Sequence, residues 1–136
     1  MQTQSISPNN PGLLEESRET DVLVEQLVYG HVIEQDAGGQ WRVMTPAAQD
    51  TANLASLPLV PHYSSDAALA ERAFLDALAR VGQSRDDYEI VGPEEVYGDA
   101  WGIRPMTQAE PLVTAAGQAV LYCRGAIEIL RQNGIG

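Results

Sequence analysis

Three amphipathic helical patterns, separated by two pairs of short β-rich runs, constrain the fold of this chain more than any other feature. The first helical pattern covers residues 20–30, with Thr20 or Asp21 as the predicted N-cap and a glycine at its end. The second is an alanine-rich run over residues 66–82, and the third is a long apolar-faced run over about residues 110–132. Helices with broad apolar faces need a sheet or another helix to cover them.

The β-rich runs form two predicted hairpins. "HVIEQ" and "QWRVMT" flank residues 36–39, where Gly38 and Gly39 supply the positive φ of a tight turn. "DDYEIVG" and "YGDAWGIRP" form the second pair. The resulting order, α-ββ-α-ββ-α, predicts an α/β (α+β) sandwich built on a mainly antiparallel four-stranded sheet, with helices on one or both faces.

A chain of 136 residues predicts a single domain. Residues 1–19 are polar and rich in Asn, Ser, Gln and Pro, so we expect a flexible N-terminal tail followed by one domain over residues 20–136. Gly117 and Gly125 lie in the third helical pattern and indicate close backbone packing, on the sheet or on a second copy of the helix. The second case predicts a homo-oligomer.

The charge is strongly acidic, with 19 Asp and Glu against 8 basic residues and a net charge of -11. Such a field repels phosphate backbones and anionic membranes, so direct binding to nucleic acid or to a membrane is not expected. The N-terminus lacks the pattern of a secretory signal, which favours a cytoplasmic protein. The acidic residues cluster at 15–25 and 86–99, which favours solubility or, as an alternative, mimicry of DNA.

Residue types that support catalysis or metal binding are scarce. Cys123 is the single cysteine, and His31 and His62 are the only histidines, so we predict no disulfide, no metal site and no cofactor. No Gly-x-Ser-x-Gly elbow or phosphate loop is present. We therefore do not predict an enzyme.

The stretch "PHYSSD" carries the first candidate ligand-binding residues, His62, Tyr63, Ser64 and Ser65. Hydroxyls and free N–H groups at a helix start can hold a phosphate or carboxylate. Capping of the following helix by the serines and Asp66 is the simpler interpretation, and it is favoured because Asp66 adds negative charge there.

Two Trp and Arg pairs on the predicted strands are the second candidates: Trp41 with Arg42, and Trp101 with Arg104. Together they could form an aromatic and basic site suited to stacking a nucleobase. In the favoured alternative each Trp fills the core and each Arg faces water, since adjacent strand residues point to opposite faces.

Several segments resemble the phage ABA-sandwich domain family, which occurs in small bacteriophage and prophage proteins. They are "LVEQLVYGHVIEQDAGGQWRVMTP", "VPHYSSDAALAERAFLDAL", "YGDAWGIRP" and "AEPLVTAAGQAVLYCRGAIEIL", which cover roughly residues 20–132. Residues 63–66 stand where the family has a Tyr-Ser-Thr-Asp-like segment, with Ser65 in place of the commoner Thr. The resemblance implies a three-layer α-β-α sandwich of viral origin, and it assigns no activity or functional residue.

Together these features predict a phage or prophage protein of the host cytoplasm that acts as a non-enzymatic interaction or small-ligand-binding module. Its expected partners are a second copy, a host protein or an anionic small molecule. The alternative is an acidic decoy that binds a host DNA-interacting enzyme.

Overall fold

A computed structural model describes residues 14–44, 57–93 and 100–135. Its regular elements are three helices, five strands and two short 3-10 turns, at Tyr63–Ser65 and Arg85–Asp87. In chain order the elements are α1 (Arg18–Tyr29), β1 (Val32–Gln35), β2 (Trp41–Met44), α2 (Ala67–Arg80), β3 (Tyr88–Val91), β4 (Trp101–Pro105), β5 (Val113–Ala115) and α3 (Gln118–Gln132). Residues 1–13 of the expected tail lie outside the described residues, as do three acids of the second acidic cluster, Glu94, Glu95 and Asp99.

The fold is α+β, and the predicted order α-ββ-α is confirmed for the first part of the chain, but three strands rather than two lie between α2 and α3. The described strands form two antiparallel sheets, β1-β2 and β3-β4-β5, so the single four-stranded sheet is not confirmed. The segment before the first 3-10 turn runs beside β2: the Val43 N–H donates to the Pro58 carbonyl at 2.8 Å, and the Val60 N–H donates to the Trp41 carbonyl at 3.0 Å. This pairing brings residues 58–63 next to the first hairpin.

The turn of the first hairpin is organised by a side chain as well as by glycine. The Asp36 carboxylate accepts the N–H groups of Gly38 and Gln40, each at 2.9 Å, and it also accepts a hydrogen bond from Arg42. These donors hold the pKa of Asp36 below its usual value. Of the two glycines in this turn, only Gly39 adopts a positive φ, of 87°. The prediction that Gly38 also supplies a positive φ is therefore wrong.

Helix α1 begins earlier than expected. Ser17, rather than Thr20 or Asp21, is the N-cap, and its hydroxyl accepts the Thr20 N–H at 3.1 Å. Leu14 is fully buried, and the Arg124 guanidinium donates to its carbonyl at 2.8 Å. Residues 14–19 therefore belong to the folded part of the chain and not to a tail.

The predicted third helix is in fact a strand followed by a helix. Residues 113–115 form β5, which pairs with β4 so that Ile103 faces Val113 and Trp101 faces Ala115. β-branched Val113 and Thr114 suit this pairing, and α3 starts after Gly117. The spacing of apolar residues in this stretch fits a strand as well as a helix. A prediction from that spacing therefore starts the helix too early.

Helix α3 packs within the chain, against α2 and the three-stranded sheet, and forms the centre of the core. A Cβ on Gly125 would lie 2.7 Å from the Ile103 Cδ1 atom and 3.1 Å from the Phe74 Cε1 atom. The close packing predicted at Gly125 is thus present, but it is made with this chain's own core. Gly117 has open space around it and serves as the N-cap of α3 instead.

Candidate ligand-binding cleft

A cleft of about 380 Å³ opens between α1, the first hairpin and the segment 58–63. It is largely apolar and contains three aromatic rings and one carboxylate. Its lining residues are Glu25, Tyr29, His31, Val43, Pro58, Leu59, Pro61 and Tyr63. Ligand sites in proteins are typically concave and apolar with a few converging polar groups, and their volumes start near 300 Å³.

Glu25 is the polar centre of the cleft. It projects from α1 and is 5% exposed. One carboxylate oxygen accepts a hydrogen bond from the Tyr63 hydroxyl, and the other contacts Nδ1 of His31. The ionised carboxylate thus favours the His31 tautomer with its proton on Nδ1, which leaves Nε2 as an acceptor with no hydrogen-bond partner among the described residues.

The three rings of the cleft form a stack. Tyr29 lies between His31 and Tyr63, with ring centroids 6.1 Å and 6.2 Å apart and an interplanar angle of 22° in each pair. Its hydroxyl donates to the Asp76 carboxylate on α2 at 2.5 Å. Each tyrosine of the stack therefore donates a hydrogen bond to a carboxylate, Tyr29 to Asp76 and Tyr63 to Glu25.

The environment keeps both of these tyrosines protonated. Burial, reinforced by the hydrogen bond to Glu25, raises the pKa of Tyr63 far above its ordinary value of 10.0. Burial, together with the hydrogen bond to Asp76, raises the pKa of Tyr29 in the same direction. Both hydroxyls stay hydrogen-bond donors over the physiological range.

Within "PHYSSD", Ser64 joins two elements instead of capping a helix. Its N–H donates to the Asp21 carboxylate at 2.7 Å, and its hydroxyl donates to the Ser17 carbonyl at 3.0 Å. Asp21 is 1% exposed and also accepts from Arg18 at 2.5 Å. The start of α1 therefore holds the 3-10 turn in place, and this contact positions Tyr63 over Glu25.

The remaining residues of the stretch separate into a cap and two exposed positions. Asp66 is the N-cap of α2, and its carboxylate accepts the N–H groups of Ala68 and Leu69 at 3.1 Å and 3.3 Å. His62 and Ser65 are exposed, and neither is among the residues that line the cleft. Capping is thus confirmed for Asp66, while of the predicted ligand-binding residues here only Tyr63 lies in the cleft.

The two Trp and Arg pairs are not brought together as one site. Trp41 and Trp101 belong to different sheets, and both are half-buried against the core. Arg42 donates to Asp36 at 2.8 Å and to the Leu57 carbonyl at 2.9 Å, and Arg104 pairs with Glu89 across the β3-β4 ladder. The arginines do not simply face water as expected, since each is held by a partner of this chain.

Every arginine of the chain has such a partner. Each guanidinium lies against a carboxylate or a backbone carbonyl of the described residues: Arg18, Arg42, Arg72, Arg80, Arg85, Arg104, Arg124 and Arg131. None of these lines the cleft. The cleft therefore contains a carboxylate and no guanidinium to attract an anion.

A second cavity, of about 440 Å³, lies between the second 3-10 turn and the end of β4. Its lining includes Tyr88, exposed Met106 and the exposed acids Asp86 and Asp87. Tyr88 is buried, and its hydroxyl donates to the Gln83 side chain at 2.6 Å. Among the described lining residues of this cavity no carboxylate is buried, and we regard it as the weaker candidate.

The described residues hold no group of three His, Cys, Asp or Glu side chains placed for a metal ion, and no helix among them is long and apolar enough to cross a membrane. Cys123 is fully buried in α3, and burial raises the pKa of its thiol to about 12. At neutral pH the thiol is therefore protonated and out of reach of a substrate.

The buried acids Asp21 and Glu25 were missed as functional residues, because acids in an acidic cluster are usually solvated. Their spacing in the sequence could have indicated this burial, because Asp21 and Glu25 share one helix face with Val24 and Val28. All four residues are buried. Two carboxylates on the apolar face of a helix require hydrogen-bond donors from elsewhere in the fold.

Comparison with known proteins adds no relative: no family model, no curated protein and no solved structure matches this chain.

Proposed function

We propose that this protein is a non-enzymatic binding module and that the cleft around Glu25, Tyr29, His31 and Tyr63 is its ligand-binding site. The observation that carries the proposal is a concave apolar cleft of about 380 Å³ into which a buried carboxylate and a half-exposed imidazole converge. Its polar groups are already fixed by hydrogen bonds within the chain, so little ordering is needed when a small ligand binds.

The chemistry of the cleft favours binding over covalent catalysis. Glu25 and His31 form a carboxylate–imidazole pair that can hold a proton, but the lining residues that the structure describes include no Ser, Thr or Cys that could serve as a nucleophile. The tyrosine hydroxyls are committed to Glu25 and Asp76 as donors. A non-enzymatic module accounts for this arrangement with fewer assumptions than an enzyme.

A ligand-observed NMR screen with a panel of small aromatic, aliphatic, cationic and anionic fragments tests the proposal. Leu59→Trp narrows the cleft at its exposed rim, because Leu59 lines the cleft and is 41% exposed. Leu69→Trp is the matched control, since Leu69 on α2 is 37% exposed and does not line the cleft. We expect fragments that bind the wild type and the control but are lost from Leu59→Trp.

Two results would contradict the assignment. Fragments that bind equally to both variants would place the ligand site elsewhere on the chain. Conversion of a fragment to a product, abolished by a change at His31, would make the protein an enzyme.

The wider proposal is a phage or prophage protein of the ABA-sandwich family, with a three-layer α-β-α arrangement, acting in the host cytoplasm on its own copy, a host protein or a small molecule. Its support is the resemblance of the quoted segments over roughly residues 20–132. Native mass spectrometry of protein purified gently from a bacterial host gives the oligomer mass and any retained ligand together. A monomer with neither ligand nor partner would count against these proposed partners.

An acidic decoy for a host DNA-interacting enzyme is the second candidate function. It is favoured by the use of the arginines within the fold, which leaves several exposed acids without a salt-bridge partner among the described residues, such as Glu16, Glu19, Glu71 and Asp86. A decoy displaces DNA from its target, and the displacement weakens as salt rises. Displacement that is independent of salt would argue against this role.

A further inference from the structure

The charge of the cleft points to the chemical class of its ligand. Among the described lining residues Glu25 is the only carboxylate, and its neighbours are a tyrosine hydroxyl and an imidazole rather than a guanidinium. Its carboxylate lies in a partly desolvated place, where a negative charge acts more strongly than in water. The net charge of -11 adds a long-range field of the same sign.

The aromatic stack strengthens this preference. The faces of aromatic rings attract cations, and tyrosine is among the rings that do so well. A phenol that donates a hydrogen bond to a carboxylate shifts electron density into the ring, which makes the ring face more negative. Tyr63 donates in this way to Glu25, and Tyr29, at the centre of the stack, donates to Asp76.

The rest of the lining sets the character of the cation. Apolar surface beside the rings comes from Val43, Pro58, Leu59 and Pro61. In the His31 tautomer with its proton on Nδ1, the Nε2 atom can accept a hydrogen bond from an N–H donor. A hydrated metal ion would gain nothing from the apolar side chains. A cation with a hydrocarbon part and N–H donors would use all three features.

Resting on the proposed function, we infer that the cleft selects an organic monocation, an alkylguanidinium or alkylammonium, and not the anionic ligand expected from the sequence. The shared chemistry is a positive nitrogen group on a short hydrocarbon chain. Its source is either a free metabolite of that kind or the side chain of an Arg or Lys in a partner.

Titration of the full chain with butylguanidinium and with butylurea, its neutral near-isostere, tests the charge preference. The affinities are measured at pH 8 by isothermal titration calorimetry and by amide chemical shifts. We expect butylguanidinium to bind at least about tenfold more tightly, the combined effect of the carboxylate and two tyrosine rings. Equal affinities overturn cation selection.

Charge variants locate the preference in the cleft. Glu25→Gln and Glu19→Gln both remove one negative charge from α1, but Glu19 is exposed and lies six residues away, about 9 Å along the helix. In physiological salt that separation exceeds the screening length of about 8 Å. We expect Glu25→Gln to weaken butylguanidinium binding about fivefold or more and Glu19→Gln to change it less than about twofold. Equal losses would overturn the inference in favour of a general charge effect.

A second variant covers the case in which Glu25→Gln does not fold. Asp76→Asn removes the carboxylate behind Tyr29 at a side chain that is 41% exposed. It should weaken butylguanidinium binding about twofold to threefold while leaving butylurea binding unchanged. An unchanged preference for the cation would contradict the role given to the tyrosine–carboxylate pairs.

The source of the cation is resolved by a blocked tripeptide, acetyl-Ala-Arg-Ala-amide. Tighter binding than butylguanidinium indicates a side chain of a partner, and weaker binding indicates a free small molecule; both results support an organic cation. If butylurea and butylguanidinium bind the cleft equally, the proposed function stands and only the cation preference fails. If no fragment of the panel binds the cleft, the proposed function fails as well.

Discussion

A methyl group added at Gly125 tests the packing at the centre of the fold. The new Cβ of Gly125→Ala would lie 2.7 Å from the Ile103 Cδ1 atom, and 3.1 Å and 3.2 Å from two ring atoms of Phe74. All three residues are buried, and they join α3 to β4 and to α2. The ring has little room to move, because Phe74 also packs against Tyr88 and Tyr122.

The net effect is the difference between two opposed terms. Replacing a helical glycine by alanine favours the helix by about 1 kcal/mol. Overpacking a tight core costs about 1–3 kcal/mol, and one contact below 3.0 Å together with two at 3.1 Å and 3.2 Å places this site in the upper half of that range. We expect Gly125→Ala to lower the free energy of unfolding by about 1–2 kcal/mol, and Tm by about 2–6 °C for a chain of this size.

A compensating substitution makes the reasoning specific. Ile103→Val deletes the Cδ1 atom and should cost about 0.5–1.5 kcal/mol by itself. Combined with Gly125→Ala, this substitution makes room for the new methyl group. The double variant should therefore lose about 1 kcal/mol less free energy of unfolding than the two single losses added together. Urea unfolding followed by circular dichroism gives all four free energies. Additive losses, or a Gly125→Ala variant more stable than the wild type, would refute the close approach of α3 to β4.

Three further predictions concern the cleft and its supports. Tyr63→Phe leaves one oxygen of buried Glu25 without its donor and should destabilise the fold by about 1.5–3 kcal/mol in urea unfolding; a loss under about 0.5 kcal/mol would contradict the buried hydrogen bond. Asp66→Ala should cost about 1 kcal/mol by removing the α2 cap, whereas Ser65→Ala should change stability by less than about 0.5 kcal/mol. The Cys123 thiol, with its pKa raised to about 12, should resist a thiol reagent at pH 8 until urea unfolds the chain, and rapid labelling of the native protein would contradict its burial. Folding raises the pKa of this thiol, so its contribution to the free energy of unfolding is fully present below the ordinary pKa of 9.0. That contribution is lost as the pH rises toward 12, because the unfolded chain releases the proton first.

The elements predicted well from the sequence are those with local causes. Gly30 ends α1 with a left-handed φ of 69°, and Asp66 starts α2 with its own side chain. The first hairpin depends on residues within one turn of each other. Such features need only neighbouring residues, so their signals survive in the sequence.

The cleft could not be predicted in the same way, because its contacts join distant parts of the chain. The Tyr63 hydroxyl meets Glu25 across 38 residues of sequence, and the Ser64 N–H meets Asp21 across 43. The sequence presented Tyr63 and Ser64 as one polar stretch, yet the fold points one into the cleft and uses the other to hold α1. Pairings of this kind depend on tertiary packing and not on residue spacing.

The strand β5 shows a different limit. Residues 112–116 carry apolar side chains at positions that fit either a helix face or a short strand, and the choice is made by β4, which lacks a second partner until β5 pairs with it. Local propensity therefore yields to the completion of the sheet.

Amide chemical-shift mapping with the tightest fragment of the panel shows in one experiment which of the two cavities described above holds the ligand. We expect the largest shifts at Glu25, Tyr29, His31, Val43 and Tyr63, and we expect these shifts to disappear in Leu59→Trp. Largest shifts around Tyr88, Met106 and Gln108, which line the second cavity, would contradict the proposed site.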